Sequence, residues 1–133
     1  MRVLAVVAAL AGLSVPALAV EPNPFFRTPS RNIYCGYGKP WLRCDIRSGL
    51  KPKPPKPAGC DFDWGETYLL SGTGRARIGC VSDSVFSPNA RELTYSSRWS
   101  RGGVTCVSKR VGLLCFNGDN HGFFLSRARS YRF

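Results

Sequence analysis

The chain has one histidine and one methionine among 133 residues, and only 8 Asp+Glu against 19 Lys+Arg. A lone imidazole cannot build a multi-histidine metal centre, and no C-x-x-C pair offers the thiolate half of a zinc site. No metal or other cofactor is therefore expected. Gly-x-Ser-x-Gly, the elbow that presents a nucleophilic serine, does not occur. Beyond the first twenty residues no apolar run approaches the ~20 residues needed to span a membrane. No 11-residue window there repeats apolar side chains at i, i+3, i+4. Ten prolines and fourteen glycines break helix interiors, which excludes a bundle or coiled coil.

What is present begins with a targeting signal. Arg2 supplies a positive start, Val3 to Val15 form an apolar core, and Pro16 leads into Ala17-Leu18-Ala19, the small-x-small pattern of a cleavage site. The expected organisation is a signal peptide helix over 1–19 and one secreted β-domain over 20–133. With Val20 and not cysteine after the cut, no lipoprotein anchor is expected. Cleavage after Ala19 removes a single basic residue, so the charge excess belongs to the domain. Its expected location is extracellular or at the cell envelope.

Six cysteines, at positions 35, 44, 60, 80, 106 and 115, lie in that domain. An even count in an exported chain reads as disulfides. Cys35 and Cys44 enclose eight residues, as do Cys106 and Cys115, each in a frame of apolar stretch, turn and apolar stretch. An even number of intervening residues lets two positions face each other across a β-hairpin, within disulfide reach. The spacing therefore predicts Cys35–Cys44 and Cys106–Cys115, leaving Cys60–Cys80 by elimination. Such loops contribute roughly 2.5–3.5 kcal/mol each by the chain-entropy estimate.

Strand signals fill the rest. A lead-in pinned by Phe25 and Phe26 precedes a hairpin over 32–37 and 41–46. Residues 51–59, rich in proline and carrying Lys51, Lys53 and Lys56, cannot be helix or central strand and read as an exposed polyproline loop. Thr67–Ser71 and Arg75–Val81 flank a glycine turn, and Leu93–Trp99 is a weaker strand. Val104–Val107, Leu113–Phe116 and Phe123–Ser126 read as a three-stranded meander. The fold class expected is all-β, a small disulfide-stapled barrel or sandwich built from hairpins.

Three stretches carry a family likeness: Phe26-x-Thr28-Pro29-Ser30-x-Asn32-Ile33-x-Cys35; Cys60-x-x-Asp63-Trp64-Gly65; and Gly112-Leu113-x-Cys115-x-Asn117 followed by His121-Gly122-Phe123-x-Leu125-Ser126-Arg127. They resemble a group of small exported bacterial proteins, of actinobacterial type, known only as a domain of unknown function. The resemblance spans about residues 25–133 and implies export, disulfides and a compact domain, with no activity attached. It leads us to expect glycine between Ser30 and Asn32 and again before His121. This chain has Arg31 and Asn120 there.

Candidate chemistry is sparse. His121, with Asp119 and Ser126 nearby in sequence, is the one general base available to a small secreted hydrolase, with Glu66 or Glu92 as possible carboxylate partners and an arginine for phosphate. A turn histidine bonded to its own loop is the plainer reading. Asp61 and Asp63 share a face only if extended, and turn capping or arginine pairing suits them better than calcium. The basic residues point further. Arginine favours planar contact with carboxylate and phosphate. It recurs at Arg91, Arg98 and Arg101 beside Tyr95 and Trp99, and at Arg127, Arg129 and Arg132 beside Tyr131. These arginines with Trp99 and Tyr131 form the expected binding set. The leading expectation is a non-enzymatic binding domain that contacts an anionic cell-envelope polymer or a protein partner; the alternative is the hydrolase centred on His121. Nucleic acid is the poorer candidate, because export removes the usual encounter.

Overall fold

A computed structural model describes residues 8–15 and 22–133. The signal peptide helix and its cleavage site fall largely outside the described residues. The part that is described, 8–15, has no regular secondary structure. Among the described residues no helix is long and apolar enough to cross a membrane.

The domain is all-β, in two sheets. The first contains β1 (Phe25–Arg27), β2 (Ile33–Gly38), β3 (Trp41–Ile46), β4 (Thr67–Ser71), β5 (Arg77–Ile78) and β6 (Arg91–Glu92). The second contains β7 (Arg98–Arg101), β8 (Val104–Lys109), β9 (Gly112–Asn117), β10 (Gly122–Leu125) and β11 (Ser130–Arg132). Strand order is β5-β4-β3-β2-β1-β6 in one and β11-β10-β9-β8-β7 in the other. Set β6 aside, which adds parallel to β1, and each sheet is the same five-stranded antiparallel meander.

The register repeats as well. Across the first sheet Phe26, Cys35, Cys44, Tyr68 and Ile78 stand opposite one another in turn. Across the second the corresponding row is Trp99, Cys106, Cys115, Phe123 and Arg132. Directly opposed residues share a face of the sheet, and both rows face inward. Equivalent members meet between the sheets: the Phe26 and Trp99 rings lie 4.8 Å apart, and those of Tyr68 and Phe123 5.3 Å apart. Like touching like is the pattern of a two-fold relation between the halves.

The disulfides join Cys35–Cys44, Cys60–Cys80 and Cys106–Cys115. Both hairpin pairs have Cα atoms 4.1 Å apart, near the short separation of a non-hydrogen-bonded cross-strand pair. All four of their cysteines are fully buried, at the centre of a core shared with Leu42, Ile46, Leu70, Leu113 and Leu125.

Polar groups lock one end of the sandwich. Asn117 is buried and uses its whole amide: Nδ2 donates to the carbonyls of Ser71 (3.0 Å) and Gly74 (2.8 Å), and Oδ1 accepts from the amides of Asp119 (3.0 Å) and His121 (3.2 Å). It thus ties the β9–β10 turn to the β4–β5 turn. Beside it the Gly102 backbone, at φ 61°, packs so close to the Tyr37 ring that a side chain there would collide with the hydroxyl.

Short strands depart from expectation. Of Leu93–Trp99 only Arg98 and Trp99 are extended, because Thr94 to Ser97 form a turn in which the Ser97 amide donates to the Thr94 carbonyl (3.0 Å). Arg75–Val81 shrinks to Arg77–Ile78, since Cys80 turns away into its disulfide.

Arg31 and Asn120, standing where the family likeness leads us to expect glycine, both adopt the left-handed region, at φ 59° and 60°. The turns have kept a glycine conformation without the glycine. Arg31→Gly should therefore stabilise the domain by about 0.5–1 kcal/mol, the left-handed cost of an L-residue less the added chain entropy. Asn120→Gly should gain less, since asparagine tolerates this region. Ser108 is fully buried and its hydroxyl has no hydrogen-bond partner among the described residues, so Ser108→Ala should add about 1 kcal/mol. Midpoints of urea unfolding under oxidising conditions test all three, and a loss of stability in Ser108→Ala would show that the hydroxyl is satisfied.

Candidate ligand-binding surface

Alternation along each strand puts one residue out for every residue in. One step from the disulfide row of the second sheet, Arg98, Val107, Leu114, Phe124 and Tyr131 stand opposite one another across all five strands. This outward row begins in a cation, runs through three apolar side chains and ends in a phenol. A neighbouring row adds Thr105 and Phe116.

The equivalent row of the first sheet is Phe25, Gly36, Arg43, Leu69 and Arg77. The middle of that face is covered, although Phe25 and Arg77 at the ends of the row stay exposed. Arg43 pairs with buried Asp45 (2.9 Å) and with Asp83 (2.6 Å), and it also donates to the Asp83 carbonyl (2.7 Å). Asp45 further accepts from the Thr67 hydroxyl (2.7 Å) and the Val85 amide (3.0 Å). Phe86 then sets its ring edge-on to Tyr34 at 5.3 Å, with the Arg47 guanidinium 4.0 Å from the Phe86 ring centre. Residues 83–86 are thereby pinned over the first sheet. In the second sheet Leu114 replaces Arg43 and Phe116 replaces Asp45, so the polar anchor is missing. Leu114 and Phe124 open instead onto a hollow of about 600 Å³.

Cations ring that hollow. The Arg129 guanidinium lies 5.9 Å from the Phe124 ring centre and 5.5 Å from that of Tyr131. Lys109 lines the rim, and Val111 at the hairpin tip is 71% exposed. An adjoining hollow of about 260 Å³ adds Arg110, Arg127 and Tyr95, with Arg110 lying 4.9 Å from the Tyr95 ring centre. Among the described residues no aspartate or glutamate lines either hollow. Arg98, Lys109, Arg110, Arg127 and Arg129 make no ion pair among the described residues.

The expected binding set thus divides. Arg98, Arg127, Arg129 and Tyr131 come to this surface. Trp99 does not: it is 5% exposed, packs on Phe26 and Tyr37, and donates its indole N–H to the Asn23 carbonyl (2.8 Å). It is a core residue with no face for a ligand. Arg101 points to the same side, 5.5 Å from the Tyr37 ring centre and donating to the Pro22 carbonyl (3.0 Å). Arg91 sits on β6 at the far edge of the first sheet. Arg132 turns inward at the end of the disulfide row. Lys109, Arg110, Val111, Leu114 and Phe124 belong to the surface although reading by charge clusters passed over them. Counting strand positions outward from Cys106 and Cys115 identifies their face.

The residues named for a hydrolase are engaged separately. The His121 ring Nδ1 lies 3.3 Å from the Phe133 main-chain oxygen. Asp119 accepts from the Gly74 amide (2.7 Å), and Ser126 donates to the Arg129 carbonyl (2.8 Å) within its own turn. Glu92 lies 3.5 Å from Arg27. Among the described residues no group of three or more His, Cys, Asp or Glu side chains could hold a metal.

A family of unknown function (DUF6636) matches residues 2–133 of this sequence. The chain belongs to that family. Comparison with curated proteins and with solved structures returned no match. For this DUF6636 domain, then, the two-sheet fold and its open second face are the features from which function has to be argued.

The loop over the first sheet supplies a control on that argument. Arg43 holds the Asp83 carboxyl below its ordinary range, first by hydrogen bonding and then by charge. A depressed folded value means the tether is intact above the ordinary aspartate range and is lost as pH falls through the folded value. Asp83→Asn at neutral pH should thus loosen residues 83–86, raising amide exchange at Val85 while the second sheet keeps its protection. Acidification of the unsubstituted protein should do the same. Unchanged Val85 exchange would mean Asp45 alone holds the loop.

Proposed function

We propose that the domain is a non-enzymatic binding module, acting outside the cytoplasm, that holds an anionic polymer across the outer face of its second sheet. The observation that carries this reading is the Arg98-to-Tyr131 row, which has no counterpart of the loop that residues 83–86 hold over the middle of the matching row of the first sheet. Three disulfides fit an extracellular, oxidising compartment, which supports a partner of the kind met there, such as a wall or envelope polymer.

The chemistry favours a polymer whose repeat carries both a charge and a CH-rich sugar or polyol face. Val107, Leu114 and Tyr131 offer apolar and aromatic area for the CH face, with buried Phe124 beneath. Arg129 and Arg98 stand at the two sides of that area, in position to take successive phosphates or carboxylates, with bidentate geometry where an arginine is used. Stacking of Arg129 on two rings holds the guanidinium in place before any ligand arrives, reducing what binding must spend on ordering it.

Binding of the oxidised protein to immobilised poly(glycerol phosphate), with neutral dextran as control, tests the reading. Affinity should fall steeply between 0.05 and 0.5 M salt, as the screening length drops from more than about 10 Å to a few ångström. Arg129→Gln and Arg98→Gln should each weaken binding by roughly three- to tenfold, whereas Arg91→Gln and His121→Ala should leave it unchanged. Equal losses from Arg91→Gln would reduce the effect to net charge and defeat the assignment to this face.

A further inference from the structure

The inward-facing row of the second sheet ends in a charge. Arg132 occupies the position that Ile78 holds in the first sheet, and both lie on edge strands, β11 and β5. At that side the sheets do not close on each other. Between them is a cleft of about 610 Å³, well within the range of small-molecule sites.

Its walls are apolar and its mouth is cationic. Ile78 and Ala76 come from one sheet edge and the Tyr131–Phe133 segment from the other, while Pro54 and Pro55 form a third wall. Lys53, Arg75 and Arg132 line the same cleft, and among the described residues no aspartate or glutamate does. Arg132 donates one hydrogen bond, to the Ala76 carbonyl at 3.2 Å, and pairs with no carboxylate among the described residues. A guanidinium has five N–H donors, so most of its capacity is left for a ligand. At the floor is Tyr68, buried to 5% exposure. Burial pushes its phenol above the ordinary tyrosine range, with Ser130 and Arg132 pulling it partly back. The hydroxyl therefore enters the cleft as a neutral group.

The proline segment is held as a wall at both ends. The Lys51 amide donates to the Ser130 hydroxyl (2.6 Å), and the Ser130 amide donates to the Lys51 carbonyl (2.8 Å). At the other end the Cys60–Cys80 disulfide ties the segment to the chain leaving β5. Prolines limit what lies between. This gives the third disulfide a task unlike that of the other two, which staple hairpins.

We propose that this cleft is a second binding site, separate from the polymer-binding face, for a small amphiphilic anion: a phosphate monoester or carboxylate on a short apolar body. Lys53, Arg75 and Arg132 take the anionic head at the mouth, and the apolar part lies along Ile78, Pro54 and Pro55 towards Tyr68. Charge complementarity selects the head, and the wall chemistry selects the tail.

Calorimetric titration of the full, oxidised protein with octyl phosphate, below its micelle concentration, tests this. Octyl glucoside probes the tail without the charge, and inorganic phosphate the charge without the tail. Saturable one-to-one binding of octyl phosphate is expected, at least about tenfold tighter than either control. Lys53→Gln/Arg75→Gln, which removes two exposed charges bearing no structural hydrogen bond, should weaken it by about tenfold or more at unchanged unfolding midpoint. Cys60→Ala/Cys80→Ala should weaken it too, by loosening the wall. Arg98→Gln/Arg129→Gln should not, which separates this site from the polymer face. No saturable binding, or equal affinity for octyl glucoside with Lys53→Gln/Arg75→Gln unaffected, overturns the proposal.

Discussion

Two cross-strand disulfides impose the register on which the rest of the molecule depends. A bridge between directly opposed residues allows no slip, since moving one strand by a single residue turns its side chains to the other face. Cys35 and Cys44 therefore determine the facing of β2 and β3, and Cys106 and Cys115 that of β8 and β9. Each neighbouring strand inherits its facing through the ladder. In both sheets the residues placed against the disulfide are aromatic, Phe26 and Tyr68 in one, Trp99 and Phe123 in the other. Large rings on either side of a compact sulfur bridge fill the space between the sheets without needing a long chain.

The same alternation that builds the core divides the basic residues into different jobs. Arg98 and Trp99 are adjacent in sequence and lie on opposite faces of β7; so do Tyr131 and Arg132 on β11. A cluster in the sequence is therefore not a cluster in space when it runs along a strand. Arg129, in the turn before β11, reaches the outer rings, while Arg132 reaches the inter-sheet cleft. Two cationic hollows follow from one run of residues, and Tyr131 lines both.

The hairpins, their disulfides and the Cys106–Cys115 meander were legible because each is local: paired residues lie no more than 13 positions apart, and an even spacing carries the register. The pairings of β1, β5, β6 and β11 were harder. These strands have two or three residues each, too few to show a period, and β6 is set by a contact with β1 more than sixty residues away. Trp99 was legible in principle. The two-residue turn Gly102-Gly103 opposes Arg101 to Val104 and so Trp99 to Cys106, which must point inward. Proximity to arginines suggested a ligand platform; counting from the cysteine places the ring in the core. The openness of the second face could not be read, because it depends on where residues 83–86 settle.

That choice follows from how the few carboxylates are spent. Asp45 and Asp83 hold the loop on the first sheet, Glu92 pairs with Arg27 beside β1, and Asp119 caps the Gly74 amide. Each takes up a structural task at the first sheet or at the end where the two sheets are tied. None lies along the second sheet's outer hollows or the cleft beside it. With 19 basic residues and 8 acidic ones, neutralising both sheets is impossible. Part of the deficit falls on the second sheet's outer hollows and the cleft beside it, while Arg77 and Arg91 on the first sheet also have no carboxylate partner among the described residues. A basic surface serving solubility alone would gain from spreading its charge, since clustered like charges repel and cost stability. Concentrating cations over apolar area, in hollows that no aspartate or glutamate of the described residues lines, carries that cost, and an anionic ligand at those positions would remove it.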